Sequence, residues 1–180
     1  VLEKSHASFN FAANAGSSAG WSGNNIVIAT NAMNAGAIPL LGINAYDLTG
    51  TYLNGLAKTG TNFDGGAVTG IRKLATDDDG KILGVQLGAG AGATTMLSII
   101  KWNSITDPAP TNYISDSQTS LGLTYAPRSA GISVSGSLDG NATITVPISG
   151  KTDVFVWTVT NGVLNPTPTA KAFPYAAAGN

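Results

Sequence analysis

Cysteine is absent from this chain of 180 residues, and glutamate occurs only once, as Glu3. Without cysteine, the chain has no disulfide framework, no cysteine-based zinc site and no thiol nucleophile. Charged residues make up only 11% of the sequence, against roughly 25% in an ordinary soluble domain. The formal net charge is −1, so the surface has little electrostatic attraction for nucleic acid or for an anionic membrane. We therefore expect neither of them as a partner.

Long apolar runs and histidine clusters are missing as well. The sequence has no apolar run long enough for a membrane-spanning helix. His6 is the only histidine, which leaves no ligand set for zinc or iron. We expect no metal and no cofactor. The chain begins Val-Leu-Glu-Lys, without a methionine or a signal-like apolar segment, so we expect a mature form or an excised piece.

The residues that are abundant favour β-structure. Asn, Asp and Thr are common, whereas Glu, Lys, Gln and Arg, which favour helix surfaces, are scarce. Asn and Asp favour turns, and branching at Cβ makes Thr favour strands. Apolar residues alternate with period two in short segments bounded by turn-forming residues, namely 26–28, 82–87, 144–146 and 154–159. The sequence therefore predicts an all-β fold.

Two landmarks recur along the chain at nearly the same spacing. A glycine in a predicted hairpin turn occurs at Gly23, Gly80 and Gly140, which lie 57 and 60 residues apart. An aromatic residue in a later predicted strand occurs at Tyr46, Trp102 and Trp157, which lie 56 and 55 residues apart. Because two separate landmarks give one period, the chain is predicted to contain three copies of a unit of about four short strands.

This unit resembles one blade of a β-propeller, a four-stranded sheet repeated around a channel. The repeats resemble those of uncharacterised propeller-like proteins of the bacterial surface, which are rich in Asn, Thr, Gly and Ala. The resemblance implies about three four-stranded antiparallel blades, at residues 18–66, 67–122 and 123–168. Residues 1–17 would then be an N-terminal extension or the end of a preceding blade, and 169–180 a tail or the start of a further blade. A β-sandwich is the alternative architecture.

The expected number of blades is too small for a closed ring. Closed propellers typically contain four to eight blades, and an open stack leaves sheet faces and edges exposed to association. We therefore expect a partial propeller that belongs to a longer chain, or part of an oligomeric ring.

Two glycine-rich segments match catalytic or nucleotide-binding strings. Residues 16–20 fit the nucleophile-elbow pattern around Ser18, but that chemistry needs a helix after the serine and a histidine later in the chain. Residues 88–93 fit a dinucleotide-binding pattern, but the segment that follows is strand-like rather than helical. Both segments are therefore interpreted as loops, and no catalytic residue is assigned.

The densest charge in the chain is the run Asp77-Asp78-Asp79 before Gly80. An EF-hand loop with its glycine at Gly80 would require an acid at position 75 and a glutamate at position 86, and neither is present. An Asp-Gly hairpin turn is the favoured interpretation. A weak cation site at Asp77 and Asp79 is the alternative interpretation.

The leading functional hypothesis is a non-catalytic, secreted or surface-exposed bacterial module that binds a glycan or an envelope protein through its loops. The candidate ligand-binding residues are Trp21 and Tyr113, whose rings would stack on a sugar, and Asp77 and Asp79. Such a module would lie outside the cell or in the cell envelope. A polysaccharide-active enzyme that uses aspartates of neighbouring blades is one alternative. A structural surface-layer component without a ligand is the other.

Overall fold

The computed structural model of the protein describes residues 16–30, 42–59, 71–86, 96–127, 129–148 and 151–172. The regular structure within these ranges consists of 13 β-strands. No helix occurs among these residues, and hence none that would cross a membrane. The predicted all-β fold is confirmed.

The strands form three antiparallel sheets. Sheet 1 contains β1 (Gly16–Ser22), β2 (Asn25–Thr30), β3 (Gly42–Tyr46) and β4 (Tyr52–Gly55). Sheet 2 contains β5 (Ile71–Thr76), β6 (Ile82–Gln86), β7 (Met96–Trp102) and β8 (Thr111–Ser117). Sheet 3 contains β9 (Ser133–Gly136), β10 (Ala142–Pro147), β11 (Asp153–Thr160), β12 (Val163–Leu164) and β13 (Thr169–Ala172). Strands that are neighbours in a sheet follow one another in the chain, except that β13 pairs with β11.

One edge of sheet 3 is shared by two short strands. β12 pairs with the end of β11, and β13 pairs with its beginning, at Asp153 to Val156. Residues Thr169–Ala172 therefore complete sheet 3. The sequence predicted a tail or the start of a further blade for residues 169–180, and the backbone partners of Thr169–Ala172 lie in β11.

Sheet 2 lies between the other two sheets and is buried on both faces. On one face, Ile82 and Trp102 lie in a buried cluster with Val27 and Ile43 of sheet 1. On the other face, Leu83 belongs to a second cluster, which joins sheets 2 and 3. Its other buried members are Val85, Leu97, Ile99, Ile114, Leu121, Leu138, Ala142, Ile144, Val146, Ile148, Phe155, Trp157 and Val159. Because successive side chains of a strand point to opposite faces, the neighbours Ile82 and Leu83 enter different clusters.

Gly84 of β6 lies where sheets 1 and 2 are in close contact. A Cβ atom at this position would lie 2.8 Å from Ile71 Cγ2, 2.9 Å from Ile43 Cδ1 and 3.0 Å from Trp102 Cζ3. Any side chain here would therefore push against both sheets. Glycine at position 84 is needed for the observed packing.

The three repeated aromatic residues lie on the third strands, β3, β7 and β11, and they face the same way along the stack. Trp102 and Trp157 face the preceding sheet, since they belong to the clusters between sheets 1 and 2 and between sheets 2 and 3. Tyr46 pairs with Ile26, whose neighbour Val27 faces sheet 2. Tyr46 therefore lies on the face of sheet 1 that points away from sheet 2.

The register of these aromatic residues differs from sheet to sheet. Tyr46 and Trp102 end their strands, opposite Ile26, the second residue of β2, and Ile82, the first residue of β6. Trp157 lies opposite Ile144, the third residue of β10, and is therefore two residues further than Trp102 from the beginning of the preceding strand. An offset of two residues preserves the face of the sheet.

Candidate functional site

Three hairpin turns meet at one end of the sheets, and we call this region the turn junction. The turns join β1 to β2, β5 to β6 and β9 to β10, and consist of residues 22–25, 77–81 and 137–141. The first two turns touch, since the Ser22 hydroxyl donates a hydrogen bond to the Gly80 carbonyl at 2.6 Å. Gly80 has a φ of 83°, and a Cβ atom there would lie 2.8 Å from the Gly23 nitrogen. The turn conformation and the close contact therefore both require glycine.

Both oxygens of the Asp77 carboxylate accept hydrogen bonds from backbone amides. One of its oxygens accepts hydrogen bonds from the amides of Asp79 at 3.1 Å and Lys81 at 2.7 Å, which shape its own turn. The other oxygen accepts from the Leu138 amide at 2.8 Å, in the turn of sheet 3. Asp77 is buried, with 6% of its surface exposed. Its carboxylate therefore fixes the fold of one turn and ties sheet 2 to sheet 3.

Two further polar pairs connect the same two turns. The Lys81 ammonium forms an ion pair with the Asp139 carboxylate, and the Ser137 hydroxyl donates a hydrogen bond to the Asp79 carboxylate. The hydrogen bond and the charge of Lys81 hold the pKa of Asp139 below its usual value. The carboxylate of Asp79 is thus engaged with the neighbouring turn.

Tyr113 of β8 lies close to the turn junction, on the face of sheet 2 that packs on sheet 3. The Lys101 ammonium lies 4.8 Å from the centre of its ring, which is a favourable cation–π contact. The hydroxyl oxygen is buried and has no hydrogen-bond partner among the described residues. Burial raises the pKa of Tyr113, and the negative charges of Asp139 and Asp77 raise it further. The ring therefore packs between the sheets.

Trp21 of β1 is the exposed member of the predicted set, with 58% of its surface exposed. It pairs with Ile26, which pairs with Tyr46, so its ring lies on the face of sheet 1 that points away from sheet 2. Its backbone amide donates to the Thr76 hydroxyl at 3.4 Å, next to Asp77. Asp77 and Asp79 thus belong to the turn between β5 and β6, and Trp21 and Tyr113 lie near it. Asp77, Asp79 and Tyr113 contact neighbouring sheets, and Trp21 is available to solvent.

Most of the other described aspartates are engaged as well. The Asp47 carboxylate accepts from the amide and the hydroxyl of Thr49, and these bonds lower its pKa. The Asp107 carboxylate accepts from the Asn103 amide at 2.8 Å, which likewise lowers its pKa. The Asp153 carboxylate accepts a hydrogen bond from the Tyr125 hydroxyl, and the Asp116 carboxylate accepts one from the Ser120 hydroxyl. No described group of three or more acidic or histidine residues is placed to hold a metal ion.

The other motifs singled out in the sequence have no catalytic arrangement among the described residues. Ser18 lies within β1, where its hydroxyl donates to the Leu74 carbonyl at 2.9 Å and accepts from the Leu74 amide at 3.1 Å. It therefore joins sheet 1 to sheet 2. His6 and the segment 88–93 lie outside the described residues.

A shallow groove of about 390 Å³ lies on the outer face of sheet 3, the face that points away from sheet 2. Ser135 pairs with Thr143, and Thr143 pairs with Thr158, so these hydroxyl side chains form a row across β9, β10 and β11. Thr160 and Asn141 extend the lining towards the turn junction. The remaining lining residues are Gly136, Ala142 and Val159.

The hydroxyl groups that line this groove are not used in hydrogen bonds between described side chains and the rest of the fold. Ser135, Thr143, Thr158 and Thr160 make no side-chain hydrogen bond to any described residue. Asn141 is the exception, since its side-chain oxygen accepts from the Asn161 amide at 3.1 Å. The groove is therefore lined by polar groups that have not been used to hold the fold together.

This groove was not among the sites predicted from the sequence. The signal is the alternation in 142–146 and 157–160, where threonine occupies the outward positions 143, 145, 158 and 160. Alternation alone predicts a half-buried strand. It becomes the signal of a site only when the outward residues of adjacent strands are known to lie side by side.

No family model matches this chain, and no curated protein sequence matches it. Among solved structures, it is similar to a DUF4623 family protein from Bacteroides eggerthii, with a TM-score of 0.66 and 13% sequence identity. The match covers 93% of this chain and 37% of that protein, so this chain spans well under half of its length. At this identity the similarity shows a shared fold, and it agrees with the all-β architecture described above.

Proposed function

We propose that this chain is a non-catalytic binding module with a β-propeller-like architecture, in which each sheet is one blade. Each sheet is a meander of consecutive strands, and the first strands β1, β5 and β9 lie next to one another. Both features are expected of blades that follow one another around a channel. A β-sandwich has two facing sheets, whereas here a third sheet packs on the far side of the second.

We place the module in a secreted or surface-exposed bacterial protein. The support is its low charge and its composition, rich in Asn, Thr, Gly and Ala, which resembles that of bacterial surface repeats. The structural neighbour is also a bacterial protein. Further blades in a longer chain fit the greater length of that neighbour, and a homo-oligomer is the alternative.

The observation that carries the binding function is the contrast between engaged carboxylates and free hydroxyl groups. Asp77, Asp79 and Asp139 are held by backbone amides, a hydroxyl or an ammonium group, and glycoside hydrolysis needs two acidic groups free to act on a substrate. The groove on sheet 3 instead offers several hydroxyl groups and no acid. This arrangement suits recognition and not bond cleavage.

A binding screen combined with a turnover assay tests this proposal. The chain is applied to an array of glycans and to an array of envelope proteins, and each ligand retained is then incubated with it overnight. We expect retention without release of new reducing ends from any glycan. Release of reducing ends would contradict the non-catalytic assignment, and a failure to retain any ligand on either array would contradict the binding assignment.

A further inference from the structure

We infer that the groove on the outer face of sheet 3 binds a neutral polysaccharide chain. This inference rests on the proposed binding function and names its site and its ligand class.

The charge of the groove defines the first property of the ligand. None of the lining residues is charged: they are Ser135, Gly136, Asn141, Ala142, Thr143, Thr158, Val159 and Thr160. An acidic or basic ligand would lose hydration on entering the groove and would gain no opposite charge there. A neutral ligand has no such penalty.

The hydrogen-bonding capacity of the groove defines the second property. Each serine or threonine hydroxyl both donates and accepts, and these side chains make no bond to the described residues. A ligand that matches them must also donate and accept at many points, which is the property of a sugar. The methyl groups of Thr143 and Thr158 add small apolar surfaces for the carbon–hydrogen faces of sugar rings.

The spacing of the hydroxyl groups favours an extended chain over a single sugar. Paired strands lie about 4.8 Å apart and residues on one face repeat about every 6.7 Å along a strand. A second row, Ser133 opposite Thr145, follows the row of Ser135 and Thr143 on the same face. The hydroxyl groups thus form a lattice over several strands. Because these residues lie in paired strands, little ordering is needed when a ligand binds.

The same lining disfavours a protein partner or a second copy of this chain. The centres of protein interfaces are enriched in aromatic residues, Met and Arg, and none of these lines the groove. Three of the four exposed large apolar residues among the described ones, Trp21, Leu48 and Leu53, belong to sheet 1 or its connections. The fourth, Val163 of β12, pairs with Thr160 at the border of the groove and is a single aliphatic side chain. The chemistry of the groove therefore fits a glycan.

Titration calorimetry with defined oligosaccharides tests this inference. The panel contains neutral hexasaccharides of glucose, mannose, galactose and xylose, together with an acidic oligogalacturonate. The double variant T143V/T158V removes two hydroxyl groups and keeps the side-chain shape. T111V is the matched control, since Thr111 is an exposed strand residue of sheet 2 outside the groove. We expect at least one neutral hexasaccharide to bind, at least tenfold weaker binding by T143V/T158V, and a change of less than twofold for T111V.

Backbone amide shifts of the wild-type protein give a second measurement that does not depend on the variants. Addition of the neutral hexasaccharide that binds is expected to change the amide chemical shifts of Ser135, Thr143 and Thr158 and to leave that of Thr111 unchanged. Binding of oligogalacturonate alone, no binding of any neutral hexasaccharide, or shifts confined to sheets 1 and 2 would each overturn the inference. These results would leave the proposed binding function intact if the arrays had retained another ligand. Dimerisation that T143V/T158V abolishes would instead assign the face to a second copy.

Discussion

The turn junction and the groove on sheet 3 are both rich in polar side chains, yet they use them in opposite ways. At the turn junction, Asp77 accepts three backbone hydrogen bonds and Lys81 pairs with Asp139. In the groove, Thr143 and Thr158 lie side by side, and their hydroxyl groups make no hydrogen bond to any described residue. Polar groups that are satisfied within the chain stabilise it, whereas exposed groups without partners are available to a ligand.

The largest effect that this comparison predicts is on the free energy of unfolding of D77A. The substitution leaves the amides of Asp79, Lys81 and Leu138 without their acceptor. Hydrogen bonds to a charged group each contribute more than neutral ones, so we expect a loss of about 3 kcal/mol. Urea unfolding measures it. The matched control is D78A, since Asp78 is exposed, and a change of about 0.5 kcal/mol or less is expected. Equal effects of the two variants would show that the buried carboxylate does not hold the junction.

Trp102 and Trp157, which are buried between the sheets, allow the same comparison of a bonded and an unbonded polar group inside the core. Trp102 Nε1 donates to the Ala57 carbonyl at 2.6 Å, whereas the buried Trp157 Nε1 has no partner in the part of the chain that the structure describes. Both lose the same volume on replacement by phenylalanine. We therefore expect W102F to be less stable than W157F by about 1 kcal/mol, the usual contribution of one hydrogen bond. Calorimetric unfolding of both variants measures this difference. A larger loss for W157F would mean that its indole nitrogen is satisfied in solution.

Acid weakens the turn junction through Asp139. Because Lys81 lowers the folded-state pKa of Asp139, the ion pair stabilises the protein above the unfolded-state pKa, near 4. That contribution is lost as the pH falls through the lowered folded-state value. We expect the melting temperature of wild type to fall more steeply than that of D139N when the pH is lowered below about 4. The gap between the two proteins at neutral pH should shrink in about 1 M NaCl, because salt screens exposed charges.

The smallest effect is expected in the groove itself. T143V/T158V removes no hydrogen bond to a described residue, and valine suits a strand at least as well as threonine. We expect the free energy of unfolding to change by about 0.5 kcal/mol or less, measured by urea unfolding beside D77A. A loss comparable to that of D77A would show that these hydroxyl groups hold the fold and are not free for a ligand.

Local pattern was sufficient to predict the strands and several turns. The alternation around 144–146 and 154–159 became β10 and β11, and the glycines at 23 and 80 lie in hairpin turns. These features depend on residues that are close in sequence, since period-two patterning and turn chemistry are local. The register of paired strands could not be predicted from these local patterns. Trp157 lies two residues away from the position equivalent to Trp102.

The roles of the candidate site residues depend on contacts between distant parts of the chain. Asp77 contacts a residue 61 positions away, and Ser137 contacts Asp79 across 58 positions. In the sequence, an exposed acidic loop and a buried carboxylate that accepts backbone hydrogen bonds have the same pattern. The two are distinguished only by contacts with distant residues. The groove was hidden for the same reason, because Thr143 and Thr158 become neighbours only through the pairing of β10 with β11.

The threonine-rich face of sheet 3 also determines what can pack against it. Sheets of repeat proteins stack through apolar faces, and a polar outer face keeps a terminal unit from aggregating. A designed sheet placed against this face would therefore need Thr143, Thr145 and Thr158 to be replaced by larger apolar residues, and this would remove the proposed sugar site. Packing of a further sheet on this side and recognition of a glycan are thus mutually exclusive uses of one surface.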